Sequence, residues 1–303
     1  MKGPAVAPHA SSFSLRLAVL AALALVACGE DDDTGTDTAS DTSVDTAVDS
    51  ALPEDSAATT EDTTSAETTE ETAAETTPGE TVIRPVCEDH AVACQDQQIQ
   101  NLGLGQTASG GAITEEGTTQ GEFLTHIDAT AGGMDGTKGY TYARFTEGGL
   151  VAVALSDYDA LESKNWDIAF RRFVVRLNSG ISGPGCIVGG RTSPDTDFDD
   201  LSAVPASVTF HDEQYFTTDG CEYVPDTSGI GAPQTVLSSY WSYPGCVAMT
   251  GNVYLIWLAD GRAVKFQVVS YYTPSVQKNC DDNGEITVPS GGGNFRIRWA
   301  LLD

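Results

Sequence analysis

What most constrains this chain is a succession of short runs rich in Val, Ile, Tyr and Phe, each closed by Gly, Asp or Asn. They lie at 123–129, 140–146, 150–155, 166–177, 207–211, 253–258, 263–272 and 295–301. Branched and aromatic side chains suit a pleated, half-buried surface, and breakers at this spacing mark strand ends. Glu147-Gly148-Gly149, Asp260-Gly261 and Asn283-Gly284 read as tight turns. Connections that short join antiparallel neighbours, because a parallel crossover needs a dozen or more residues. The expected fold class is therefore all-β, with antiparallel strands. In the longest run, Trp166, Ile168, Phe170, Arg172, Val174 and Arg176 share one face. That face is mixed, so the run is expected to pass from one sheet to another, with Arg172 and Arg176 meeting acidic groups or water. Trp166 is expected in the core, and Asp167 as a loop cap or an arginine partner.

The N-terminus speaks to compartment. Lys2 and Arg16 precede an apolar run at 17–26, the length of a signal-peptide core and well short of the ~20 residues that span a bilayer. Leu25-Val26-Ala27-Cys28 then has the form of a lipobox, which makes residues 1–27 a lipoprotein signal peptide and Cys28 the lipidated first residue. Membrane attachment is expected through that lipid, on an exported protein of the bacterial cell envelope, at the outer membrane or cell surface. Residues 28–83 carry 17 Asp and Glu, no Lys or Arg and no aromatic residue. Too little apolar surface exists there to offset ordering entropy of ~1–2 kcal/mol per residue, so a disordered acidic linker is expected. With a formal charge of −29 over the whole chain, nucleic acid is an unsuitable partner.

With Cys28 assigned to lipid, Cys87, Cys94, Cys186, Cys221, Cys246 and Cys280 remain. An even number in an oxidising compartment points to three disulfides, whose connectivity spacing does not fix. Proximity in sequence favours Cys87 with Cys94 and Cys221 with Cys246. Cys87, His90 and Cys94 also bring three potential ligands together, one short of a structural zinc site. Residues 84–121 are expected to form a disulfide-containing lead-in to a domain at 122–303.

Asn165-Trp166-Asp167-Ile168-Ala169-Phe170-Arg171-Arg172 is followed by Val175-Arg176-Leu177-Asn178-Ser179-Gly180 and Ser182-Gly183-Pro184-Gly185. Thr125-His126-Ile127-Asp128-Ala129 comes before this stretch. Val204-Pro205, Val264-Lys265-Phe266-Gln267 and Ser270-Tyr271-Tyr272 come after it. Together they resemble the HmuY-like haem-binding lipoproteins of bacterial surfaces, over residues 122–303. The resemblance implies a β-sandwich whose extended finger loops close on haem, with an outer-membrane haem receptor as partner. It also implies paired His or Met axial ligands on those loops. Where a ligand loop is expected, this chain reads Tyr240-Trp241-Ser242-Tyr243-Pro244-Gly245-Cys246, without histidine. The ligand candidates around that region are His211, Met249 and Tyr243. The rival reading is a surface recognition or structural module, its fingers locked by disulfides for protein or glycan contact.

Catalytic and metal motifs do not compete with this. Asp195 to Asp200 begins like a calcium loop, yet Asp200 stands where an EF-hand needs Gly and Ala206 where it needs Glu. No G-x-S-x-G or H-E-x-x-H occurs. No enzymatic activity is expected.

Overall fold

The computed structural model describes residue 88, residues 90–133 and residues 136–302. The signal segment, Cys28, the acidic linker, Cys87 and Met134 lie outside the described residues, all of which fall in the second of the chain's two compact units, Ala73–Asp303.

The fold is an antiparallel β-sandwich. One sheet has six strands: β1 (Ile113–Thr119), β2 (Glu122–Asp128), β7 (Val188–Arg191), β10 (Val253–Trp257), β11 (Ala263–Ser270) and β12 (Asn294–Leu302). Their order is β1-β2-β12-β11-β10-β7. The other sheet is formed by β3 (Thr141–Thr146), β4 (Gly149–Val153), β5 (Ile168–Arg171) and β6 (Val174–Leu177), in the order β4-β3-β5-β6. A two-stranded ribbon, β8 (Trp241–Ser242) with β9 (Ala248–Met249), stands apart from both. Three short α-helices, α1 (Gln95–Asn101), α2 (Asp157–Ala160) and α3 (Pro274–Asn283), and one 3-10 turn at Ser238–Tyr240 complete the described chain. No described helix is long and apolar enough to cross a membrane.

Strand alternation builds the core. Ile168 and Phe170 of β5 and Ala143 and Phe145 of β3 face Ile127, Phe266, Phe295, Ile297 and Trp299 of the larger sheet. The intervening Tyr142 and Ala169 point the opposite way and pack with Trp166, Leu161 and Leu104 beneath the α1 and α2 segments. Strands β5 and β6 are thus buried on both faces, which explains why they lack a clean apolar–polar alternation.

The turns at Glu147-Gly148 and Asp260-Gly261 join β3 to β4 and β10 to β11, as the sequence leads one to expect. Elsewhere the structure departs from that reading. The run at 166–177 is two strands, because Arg172 takes a left-handed φ of 52° and donates its N–H to Ala129 O at 2.7 Å, reversing the chain. Arg176 makes no direct ion pair among the described residues; it is fully buried among aromatic rings, with Asp157 reached only through the Tyr142 hydroxyl. Asp167 caps the backbone of β3, accepting the Phe145 N–H at 2.9 Å. The segment 207–211 makes no ladder. Val208 and Phe210 instead cover Phe198, Leu201, Val253 and Leu255 on the outer face of the larger sheet. Asn283-Gly284 is no hairpin: Asn283 ends α3, and Gly284, at φ 71°, donates to Cys280 O.

The cysteine pairing also differs. Cys94 bonds to Cys221 and Cys246 to Cys280. Both proposed local pairs are thereby overturned, since the fold brings together partners that are 127 and 34 residues apart. Cys186 is also disulfide-bonded, with a partner outside the described residues.

Candidate functional site

The edge strand β7 borders two cavities. Val188 packs inward, and Gly189 and Gly190 have no side chains because other segments press on their backbone. A Cβ on Gly190 would lie 2.4 Å from Thr209 O, and one on Gly189 2.8 Å from Leu177 Cδ1 and 2.9 Å from Val236 Cγ1. That proximity lets His211 and Gly189 exchange backbone hydrogen bonds, His211 N to Gly189 O at 2.9 Å and Gly189 N to His211 O at 3.0 Å. His211 is fixed through its backbone while its side chain remains exposed.

Two cavities flank the end of this strand. One, of about 620 Å³, is lined by His211, Asp212, Gln214, Gln234 and Thr235. The other, of about 530 Å³, is lined by Asp226, Ser228, Trp241, Tyr243, Thr250 and Asn252. Arg191, Ser238 and Ser239 line both, so the cavities adjoin at the tip of β7. Their walls are mostly hydroxyl, amide and carboxylate.

The wall carrying Tyr243 is firmly held. Trp241 pairs with Met249 and Ser242 with Ala248 in the ribbon, and Cys246 is bonded to Cys280 of α3. Gln277 of α3 donates to Val247 O at 3.0 Å, while the Tyr272 hydroxyl accepts the Val247 N–H at 3.1 Å. The Trp241 ring lies 5.4 Å from Phe173 and meets Tyr243 edge-on at 6.2 Å. Tyr243 remains 46 % exposed. The loop is thus a rigid ledge presenting one phenol to solvent.

The three ligand candidates are not brought to one point. His211 lines the first cavity and Tyr243 the second. Met249 lines neither; its side chain packs against the main core and its N–H donates to Asp281 at 2.8 Å. The other described histidines make structural contacts. The His90 ring lies within hydrogen-bonding distance of Gly180 O, and the His126 ring, in β2, within 3.3 Å of Asn294 Oδ1. Cys94, being in a disulfide, has no thiolate to offer a metal. Among the described residues no cluster of three His, Cys, Asp or Glu could hold a metal ion.

Behind His211, Glu213 is fully buried. Burial pushes its pKa up to about 8, against the pull of two backbone N–H groups and the Arg176 guanidinium. Sequence reasoning missed Arg191. The signal was Val188-Gly189-Gly190-Arg191, a short strand whose paired glycines mark a close backbone approach.

Residues 136–285 match the family described as HmuY protein. No curated protein matches the chain in sequence. Among solved structures, it is similar to a Bacteroides vulgatus protein described as HmuY-like and heme binding, at 18 % identity and a TM-score of 0.39, covering 62 % of this chain and 96 % of that one. It is also similar to a Bacteroides fragilis protein described as a lipoprotein (15 % identity, TM-score 0.38, 61 % and 92 % covered). A third is the apo HmuY analog of Tannerella forsythia (12 %, 0.31, 66 % and 98 %). The family match spans the Asn165–Arg172 motif and both cavities at the tip of β7, and this stretch of the chain is HmuY-like.

Proposed function

We propose that this protein is a surface lipoprotein, tethered through Cys28, that captures haem or a related tetrapyrrole at the paired cavities and passes it to an outer-membrane haem receptor without catalysis. The match of residues 136–285 to the HmuY family carries the reading. Haem supplies a flat apolar macrocycle, a Lewis-acidic iron and two carboxylates. The side chains present suit the last two. His211 and Tyr243 carry the imidazole and phenol that serve as axial ligands in haem proteins, and Arg191 between them offers a cation. Each cavity by itself lies in the size range of small-molecule sites. Met249, engaged in the core, is the weaker iron ligand of the three candidates.

Titrating the purified chain with hemin tests this. Saturable binding with a red-shifted Soret band is expected, diminished in His211→Ala or Tyr243→Phe and retained in Met249→Ala. No saturable band in either oxidised or reduced buffer rules the reading out. The polar lining favours a second reading, a disulfide-stapled recognition module for glycans. Selective glycan binding by a chain indifferent to hemin would select it.

A further inference from the structure

We infer that Arg191 is the carboxylate-recognition residue of the paired cavities, so that the ligand is selected by a free carboxylate on its edge. The inference rests on the tetrapyrrole reading and adds the group that the protein reads. Five of the described basic side chains are engaged in ion pairs. Arg262 pairs with Asp260, Arg296 with Glu116, Lys278 with Asp282, and Lys265 and Arg298 with Glu122. Arg191 makes no hydrogen bond or ion pair among the described residues, in a chain with 44 acidic and 15 basic side chains.

Carboxylates do stand nearby, but they are turned elsewhere. Asp226 accepts the N–H and hydroxyl of Ser228, and Asp212 accepts the Gln214 amide at 2.7 Å. Each thus serves its own loop and leaves the guanidinium to solvent. Arg191 is held at the strand's end opposite Tyr254. The buried Tyr254 hydroxyl lies near Asn252 and Ser239, yet forms no hydrogen bond of accepted geometry with either. A planar guanidinium fork matches a carboxylate through two parallel N–H···O bonds, and the Ser238 and Ser239 hydroxyls on both cavity walls are further donors. An ester at the same position would keep the macrocycle and lose the charge.

Quenching of intrinsic Tyr and Trp emission, read beside the Soret band, provides the test with three probes: hemin, hemin dimethyl ester and iron-free protoporphyrin. The expected result is that the ester binds at least about 10-fold more weakly than hemin, the lower end of what one hydrogen bond to a charged group contributes. Arg191→Gln should lower hemin affinity to the ester's level, leave the ester unchanged, and keep the wild-type thermal midpoint; Arg191→Lys should recover part of the loss. Iron-free protoporphyrin should show the same Arg191 dependence, which separates carboxylate recognition from iron ligation. Equal binding of acid and ester by the wild type, or equal loss of both in Arg191→Gln, overturns the assignment while leaving tetrapyrrole binding intact. No binding of any of the three probes overturns both.

Discussion

The Glu213 carboxylate accepts the Leu177 N–H at 2.8 Å with one oxygen and the Val236 N–H at 2.9 Å with the other. Leu177 closes β6, the edge of the smaller sheet, so a side chain stands in for a missing strand neighbour. Burial raises the Glu213 pKa from 4.5 to about 8. Between those values the unfolded chain has lost this proton and the folded protein keeps it, so stability falls as pH rises, at up to about 1.4 kcal/mol per pH unit. Above the folded value the slope vanishes. Glu213→Gln should lack this slope, so that the difference between the two proteins shifts in the variant's favour as pH rises from 5 to 8. It should also cost about 1–3 kcal/mol at pH 5, because its NH₂ cannot accept one of the two N–H groups. Urea unfolding at pH 5, 6, 7 and 8 reads both effects; parallel pH profiles for wild type and variant would refute the assignment.

The two described disulfides should separate in function. Cys94–Cys221 closes 127 residues and Cys246–Cys280 closes 34. Loop-closure entropy assigns roughly 5 and 4 kcal/mol respectively, with native strain able to reduce either. Only the second holds the ledge carrying Tyr243, three residues from Cys246. Replacing either pair by serine should lower the midpoint of denaturant unfolding. Hemin affinity should fall only for Cys246→Ser/Cys280→Ser, and an equal fall for both pairs would show that the ledge needs no staple.

Local features were legible in the sequence and distant ones were not. The turns at Glu147-Gly148 and Asp260-Gly261 depend on adjacent residues alone, and strands β2, β3, β10, β11 and β12 follow their apolar runs closely. Helix α3 was overlooked although Pro274 in its first turn and Gly284 past its end are its ordinary punctuation. The disulfides could not be paired by spacing, because Cys94 meets Cys221 only once the sandwich has closed. Arg176 looked solvated because nothing in its own strand announces the α1 and α2 layer that covers it. At the site, His211 and Tyr243 were visible as residue types, whereas the cavities that separate them, and Arg191 between, arise from the packing of the 207–211 segment on two glycines.

Those close approaches extend to the glycines after β6. A Cβ on Gly183 would lie 2.1 Å from Asn178 Oδ1 and 2.9 Å from the Trp166 ring. Asn178 cannot retreat, since its amide donates to Trp166 O at 2.8 Å and Ser163 O at 3.0 Å and its oxygen accepts the Gly185 N–H at 2.9 Å. Gly183→Ala should therefore destabilise the domain by about 1–3 kcal/mol. Gly117→Ala in β1, where nothing lies within 4 Å of the added carbon, should change it little. Thermal midpoints decide; comparable losses at both sites would mean that Asn178 gives way freely.

The last prediction concerns the buried guanidinium. Arg176 lies 4.2 Å from the centre of the Tyr140 ring, 5.3 Å from Trp166 and 5.5 Å from Tyr142. It donates to the Tyr142 hydroxyl, which in turn donates to Asp157 Oδ1 at 2.9 Å. Asp157 also accepts the N–H groups of Tyr140 and Gly105, at 2.8 and 2.9 Å. The charge is thus relayed to a carboxylate through one phenol, while the nearest ring contributes through its face. Hydrogen bonds to charged groups are worth ~1.5–3 kcal/mol each and an unpaired buried charge costs more, whereas Phe presents a cation with nearly the same π-face as Tyr. Tyr142→Phe should accordingly cost about 3 kcal/mol or more, and Tyr140→Phe under about 1 kcal/mol despite Tyr140 lying closer to the cation. If denaturant unfolding ranks the two in the opposite order, the ring faces and not the phenol relay hold Arg176 in the interior.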